Sequence, residues 1–257
     1  MRTLSFFFDT RLDFSEPVTE HEFLLRCIPV DAPEQKIESY TLSVLPEGAV
    51  TDFGRDAFGN GYCSGRMEKE HSFFRCILRG EACRDDSLRE KADASPCYRF
   101  PSPLTHPTKE MEDFFESLPK PGDALEFAKM VSSRVHEHFS YEPGKTDVFT
   151  TAGAAFRQGR GVCQDYAQVL ISLCRMAKIP ARYVSGLPVG EGASHAWAEI
   201  WADGTWHGLD PTRDCMADEG YLKLCVGRDY NDCPMERGMF FGGADQTQTV
   251  FMKVTSQ

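Results

Sequence analysis

The chain has no apolar run approaching the roughly 20 residues that a membrane-spanning helix needs. It has no excess of positive charge either: 28 Lys and Arg stand against 39 Asp and Glu, a formal net charge of -11. A surface of that sign repels phosphate backbones and anionic lipid headgroups, so neither nucleic acid nor a membrane is expected as a partner. Cysteine is plentiful, at 10 residues, yet no Cys-x-x-Cys pair and no paired metal spacing occurs among them. No metal and no cofactor are expected on that ground. A secretion signal is missing as well. MRTLSFFFDTRLDF carries one early Arg and a short Phe cluster that Asp9 interrupts, without a small-residue cleavage site. That stretch reads as a strand, and free thiols in a reducing, cytoplasmic setting are expected.

What remains is ordinary for a globular protein, with 257 residues, 41% hydrophobic and 26% charged. Residues 1–97 read as all-β. Leu4–Phe8, Glu22–Ile28, Ile37–Leu45 and Ser72–Leu78 are short runs rich in Phe, Val, Ile and Tyr. Breakers such as Ser15-Glu16-Pro17 and Pro46-Glu47-Gly48 are expected to separate them, and Asp56–Gly61 is a turn signal. This spacing suggests a sandwich or barrel. Residues 98–107 are rich in proline and read as a linker.

Residues 108–257 mix helix and strand. Thr108 is placed to cap one short helix, Asp123 another whose apolar stripe is Phe127, Val131, Val135 and Phe139. His136 and His138 lie two apart on that helix and face different ways, so they are read as structural. Cys76, Cys174 and Cys225 sit in apolar runs and read as small core residues. Ala181–Leu187, Ser194–Ala202, Thr205–Leu209, Tyr221–Val226 and Thr247–Val254 are expected as strands.

Cys163 differs from the other thiols by its position. It follows Gly159-Arg160-Gly161-Val162 and opens a helix with apolar residues at 166, 169, 170, 173, 174 and 177. Free backbone N–H groups and the helix dipole stabilise negative charge there, which suits a thiolate nucleophile and an oxyanion. Arg160 adds to that field or is a solvated surface group.

Asp203-Gly204 is a two-residue hairpin signal. With Ala202 facing Thr205, the pairing sets Trp201 against Trp206, Glu199 against Gly208 and Trp197 against Asp210. His195 shares a strand face with Trp197, so His195 and Asp210 become diagonal neighbours about 7–8 Å apart. A carboxylate that orients an imidazole, whose other nitrogen serves a thiol, is a nucleophilic arrangement. His207 falls on the opposite face and reads as structural. Trp201 and Trp206 read as core, while Trp197 is left as core or cleft.

At these residues the sequence resembles the bacterial transglutaminase-like family. The segments concerned are Gly161–Ala167, Ile179–Gly186, Ser194–Glu199, Gly208–Thr212, Val226–Tyr230 and Arg237-Gly238; residues 1–97 resemble the N-terminal β-domain that often precedes this core. The resemblance implies an α+β, papain-like core and a Cys-His-Asp triad at Cys163, His195 and Asp210. Gln164 follows the nucleophile where crosslinking animal enzymes resemble one another in having Trp, and no Asp-x-Asp-x-Asp-Gly calcium loop is present. The expected activity is therefore hydrolysis of an amide or isopeptide bond in a peptide or protein, through a thioester. Acyl transfer to an amine and a non-catalytic peptide-binding module are the alternatives. Gln158, Gln164 and Tyr141 are candidate second oxyanion donors, and Trp197 a candidate substrate contact.

Overall fold

The computed structural model describes residues 1–89, 91, 93–119 and 122–257. β1 (Arg2–Leu25) is followed by β2 (Gln35–Leu45), β3 (Val50–Arg55), β4 (Gly61–Met67) and β5 (His71–Arg84). Large residues alternate along β1, with Leu4, Phe6, Phe8, Leu12 and Phe14 turned inward, so one face of the strand is committed to a core. Ser15-Glu16-Pro17 does not separate two strands, as the sequence suggests. It is a bulged corner inside β1, between the pairs Asp13–Phe73 and Val18–His71. Pro17 has no N–H to give a ladder, and an irregular corner is where a strand tolerates it. Before the corner β1 pairs with β5; beyond it, residues 21–25 pair with β4.

The middle of the chain is helical. α1 (Lys109–Ser117) and α2 (Ala124–His138) lead to the two-residue β6 (Ser140–Tyr141). Next come α3 (Ala152–Gln158), β7 (Arg160–Gly161) and α4 (Cys163–Met176). Asp123 accepts from the Glu126 amide at 2.9 Å, and Phe127, Val131, Val135 and Phe139 are all buried, as the stripe predicts. α4 carries the densest apolar face, packed on β8 (Ala181–Pro188) and, past the short β9 (Gly190–Gly192), on β10 (His195–Ala202).

β11 (Thr205–Asp210), β12 (Cys215–Met216) and β13 (Tyr221–Gly227) complete a sheet of order β12-β11-β10-β8-β13. The turn between β10 and β11 has positive φ at both Asp203 (+50°) and Gly204 (+84°), the geometry that a two-residue hairpin requires. Its register runs Ala202–Thr205, Trp201–Trp206, Ile200–His207, Glu199–Gly208 and Ala198–Leu209, as the sequence predicts.

The last two strands go elsewhere. β14 (Glu236–Phe241) pairs with β1 beyond its corner, and β15 (Gln246–Ser256) pairs with Leu4–Phe14 before it. The sequence assigns all of 108–257 to the second unit. Yet residues 236–256 lie in the sheets of the first, and Leu222 and Leu224 join its core. Strand pairing across more than 200 residues leaves no local pattern from which to read this. The whole is α+β, with an N-terminal part that is mostly strand. All ten cysteines are free, and Cys76, Cys174 and Cys225 are buried. Among the described residues no helix is long and apolar enough to cross a membrane.

Candidate active site

Cys163 begins α4 because the chain before it is pinned. Asp165 reaches back so that Oδ2 accepts from the Val162 amide at 2.7 Å and from Thr146 Oγ1 at 2.7 Å. Burial raises the pKa of Asp165, and these hydrogen bonds work against that shift. Gly161 is glycine for room: a Cβ there would meet Asp165 Oδ2 at 2.4 Å. In the first turn of α4 the Asp165 amide donates to the Val162 carbonyl at 2.8 Å, while the Cys163 and Gln164 amides are left without a helical acceptor, and half-buried Cys163 lies beside them in a cleft of about 490 Å³.

His195 lies in the same cleft. Its Nε2 donates to Asp210 Oδ2 at 2.6 Å, which leaves Nδ1 for the sulfur. Burial alone would disfavour the imidazolium. Hydrogen bonds to Asp210 and Cys163 outweigh it, and the His195 pKa is pushed up to about 9. Asp210 is fully buried, and both its oxygens are occupied. Tyr221 donates its hydroxyl to Oδ2 at 2.9 Å, while the Thr212 and Arg213 amides donate to Oδ1 at 3.0 and 3.3 Å. Burial, with hydrogen bonds to Cys215 and Asp210, raises the Tyr221 pKa, so its phenol stays a donor. Cys163, His195 and Asp210 thus come together from a helix start and two neighbouring strands.

The other predicted residues divide. Tyr141 and Gln164 line the cleft; Gln164 Nε2 is anchored at 3.4 Å on the Val148 carbonyl. Gln158 does not line it. The left-handed Gly159 (φ +62°) turns the chain after α3 and leaves Gln158 exposed. Trp197 is 1% exposed and packs edge-on to Tyr221 behind His195, so it backs the site and touches no cleft space. Trp201 and Trp206 are half-buried rather than core, packed edge to face with Arg182 4.2 Å over Trp206. His207, half-buried, faces Ile200 and is held 3.0 Å from Thr205 Oγ1. Arg160 is exposed and pairs with Glu142 at 3.7 Å. His136 and His138 each contact a backbone carbonyl, of Pro211 and Phe156.

Sequence reasoning missed Tyr221, Asp165 and Tyr183. Asp165, at the third helical position behind an extended residue, carried a capping signal that could have found it. Tyr183 lines the cleft, and burial keeps its phenol neutral. Nothing local marks Tyr221 or Tyr183, which reach the site by strand pairing. Among the described residues no group of three or more His, Cys, Asp or Glu is placed to hold a metal ion.

Residues 113–211 match the model of the transglutaminase-like superfamily, and residues 4–82 that of the bacterial transglutaminase-like N-terminal region. An uncharacterised protein of Mycobacterium leprae is 39% identical over 125 residues, 45% of this chain and 44% of that relative. One of Mycobacterium tuberculosis is 32% identical over 139 residues, 48% of this chain and 44% of its own. The match thus spans less than half the length of these curated relatives. A solved structure from Cytophaga hutchinsonii, described as a candidate cysteine protease, superposes over 99% of this chain and 90% of its own. Its TM-score is 0.83 at 21% identity, which is likeness of fold.

Proposed function

Because the chain belongs to the transglutaminase-like superfamily, we propose that it is a cysteine-dependent hydrolase opening an amide or isopeptide bond through a thioester. The observation that carries this reading is the 2.6 Å hydrogen bond from His195 to buried Asp210, with Cys163 against the other side of the imidazole. Cys163 attacks the carbonyl carbon as a thiolate. The oxyanion that forms meets the free N–H groups at the start of α4, the Cys163 amide first. His195 then gives its Nδ1 proton to the leaving amine as the C–N bond breaks, and the acyl group stays on sulfur. His195, now neutral, takes a proton from water, whose oxygen attacks the thioester. The acid leaves and the thiol is restored. Gln164, Tyr141 and Tyr183 line the cleft, which supports a part for them in positioning the acyl group.

The test is a panel of peptides, isopeptides and glutamine amides, run with the native protein and Cys163→Ala, alongside alkylation at neutral pH. Turnover is expected to vanish in the variant, with Cys163 alkylated faster than the other nine thiols. A Cys163 no more reactive than those nine would sink the reading. With a labelled amine present, hydrolysis is expected to exceed incorporation; the reverse would make the protein an acyl transferase.

A further inference from the structure

The cleft is not built by the second unit alone. Thr10 of β1, Glu236 of β14 and Gln248 of β15 line it together with Cys163 and His195. Among the described residues that line it, Glu236 is the one acidic side chain. Thr10, itself fully buried, donates Oγ1 to Glu236 Oε2 at 2.9 Å. Gln248 Nε2 donates to the same oxygen at 3.0 Å and approaches Thr10 Oγ1 at 3.3 Å. Both donors are neutral and both serve Oε2, which leaves Oε1 for something else. Burial pushes the Glu236 pKa up, and only these two hydrogen bonds oppose it. Among the described residues no Lys or Arg stands within ion-pair distance of this carboxylate. The nearby cation is already engaged, since His195 is paired with Asp210.

A partly desolvated carboxylate without a counter-ion is costly, and a cation brought by a ligand recovers that cost. A charge-assisted hydrogen bond to Oε1 is about twice as strong as one from a neutral donor. The net charge of -11 works in the same direction, because it draws cationic molecules toward the surface. We propose that Glu236, held by Thr10 and Gln248, is the specificity residue of this cleft and selects substrates carrying a primary ammonium group. This rests on the hydrolase reading of Cys163 and names the substrate class for it. The ammonium is an N-terminal α-amine or the tip of a lysine-type side chain.

Matched peptidyl vinyl sulfones test this without knowledge of the natural substrate. The Cys163 thiolate adds to the vinyl carbon β to the sulfone, the sulfone-bearing carbon takes a proton from solvent, and mass spectrometry reads the labelling rate. One pair differs only in a free or acetylated N-terminus; a second differs only in lysine or norleucine. In the native protein at least one ammonium probe is expected to label Cys163 about tenfold faster than its neutral twin. Whichever pair shows the preference identifies the source of the ammonium. In Glu236→Gln that ratio is expected to fall close to one. Equal rates for both pairs in the native protein, or a preference that survives Glu236→Gln, would overturn the inference while leaving the Cys163 reading intact. Failure of every probe to label Cys163 ahead of the other thiols would overturn both. Equal rates for both native pairs overturn the inference even if the variant folds poorly.

Discussion

At the scale of the residue, Asp210 is the hub. Four donors converge on a carboxylate with no exposure of its own: His195, Tyr221 and the amides of Thr212 and Arg213. A buried charge is tolerated only when it is satisfied in this way. Its effect is felt on His195, whose pKa lies above the usual imidazole value, so the imidazolium persists at neutral pH and is lost as pH rises through about 9. Asp210→Asn keeps the shape and removes the charge. Turnover is expected to fall by roughly 10²–10⁴-fold, and the alkaline limb of the pH–rate profile to move down from near 9. The measurement is the pH profile of both proteins on one substrate. An unmoved limb would show that Asp210 does not support the imidazolium.

At the scale of the element, the corner of β1 is where chemistry and architecture meet in the first unit. His21 and His71 stack there with ring planes 9° apart, His21 Nδ1 lying 3.1 Å from His71 Nε2. Phe14, Phe74 and Phe240 surround them, and His71 Nδ1 is satisfied by the Lys69 carbonyl. Burial, and secondarily the neighbouring His71, depresses the His21 pKa to about 4. For a base so depressed the unfolded chain binds the extra proton. Stability is therefore unaffected above about pH 6.5 and declines as pH falls from there toward 4. Between pH 6.5 and 5 the loss is expected to be on the order of 2 kcal/mol. Denaturant unfolding of the native protein and of His21→Gln across that window checks it; equal slopes with pH would refute the assignment.

At the scale of the molecule, the two units are tied by a buried ionic cluster. Lys223 of β13 is 3% exposed and contacts Glu34, which lies just before β2, and Glu199 of β10, the latter at 3.1 Å. Arg182 Nε donates to Glu199 Oε2 at 2.7 Å. Burial would raise the Glu199 pKa, but Arg182 and Lys223 hold it well below the usual carboxylate range. Gln35 adds a neutral clamp, donating to the Lys223 carbonyl at 2.8 Å and accepting from its amide at 2.8 Å. Lys223→Met would leave two carboxylates short of a partner, and a loss of about 3–5 kcal/mol in unfolding free energy is expected. Chemical denaturation measures it; a loss under about 1 kcal/mol would mean that the cluster does not hold the units together.

Much of the candidate site was legible in the sequence because its determinants are local. Three features needed only residues within reach of one another along the chain. These were the break and apolar period that start a helix at Cys163, the Asp203-Gly204 turn, and the two-residue alternation of side chains. Together they put His195 and Asp210 on one face of a hairpin and Cys163 at a helix start; the packing of that helix on the sheet is what brings the thiol to them. The corner in β1 was misread because Pro17 marks an interruption without saying whether the strand stops or bends. Tertiary structure alone decided that residues 236–256 return to β1, that Tyr221 reaches Asp210, and that Glu236 enters the cleft. Those choices are made between strand edges far apart in sequence, where hydrogen bonding and shared burial select the partner and no periodicity records it.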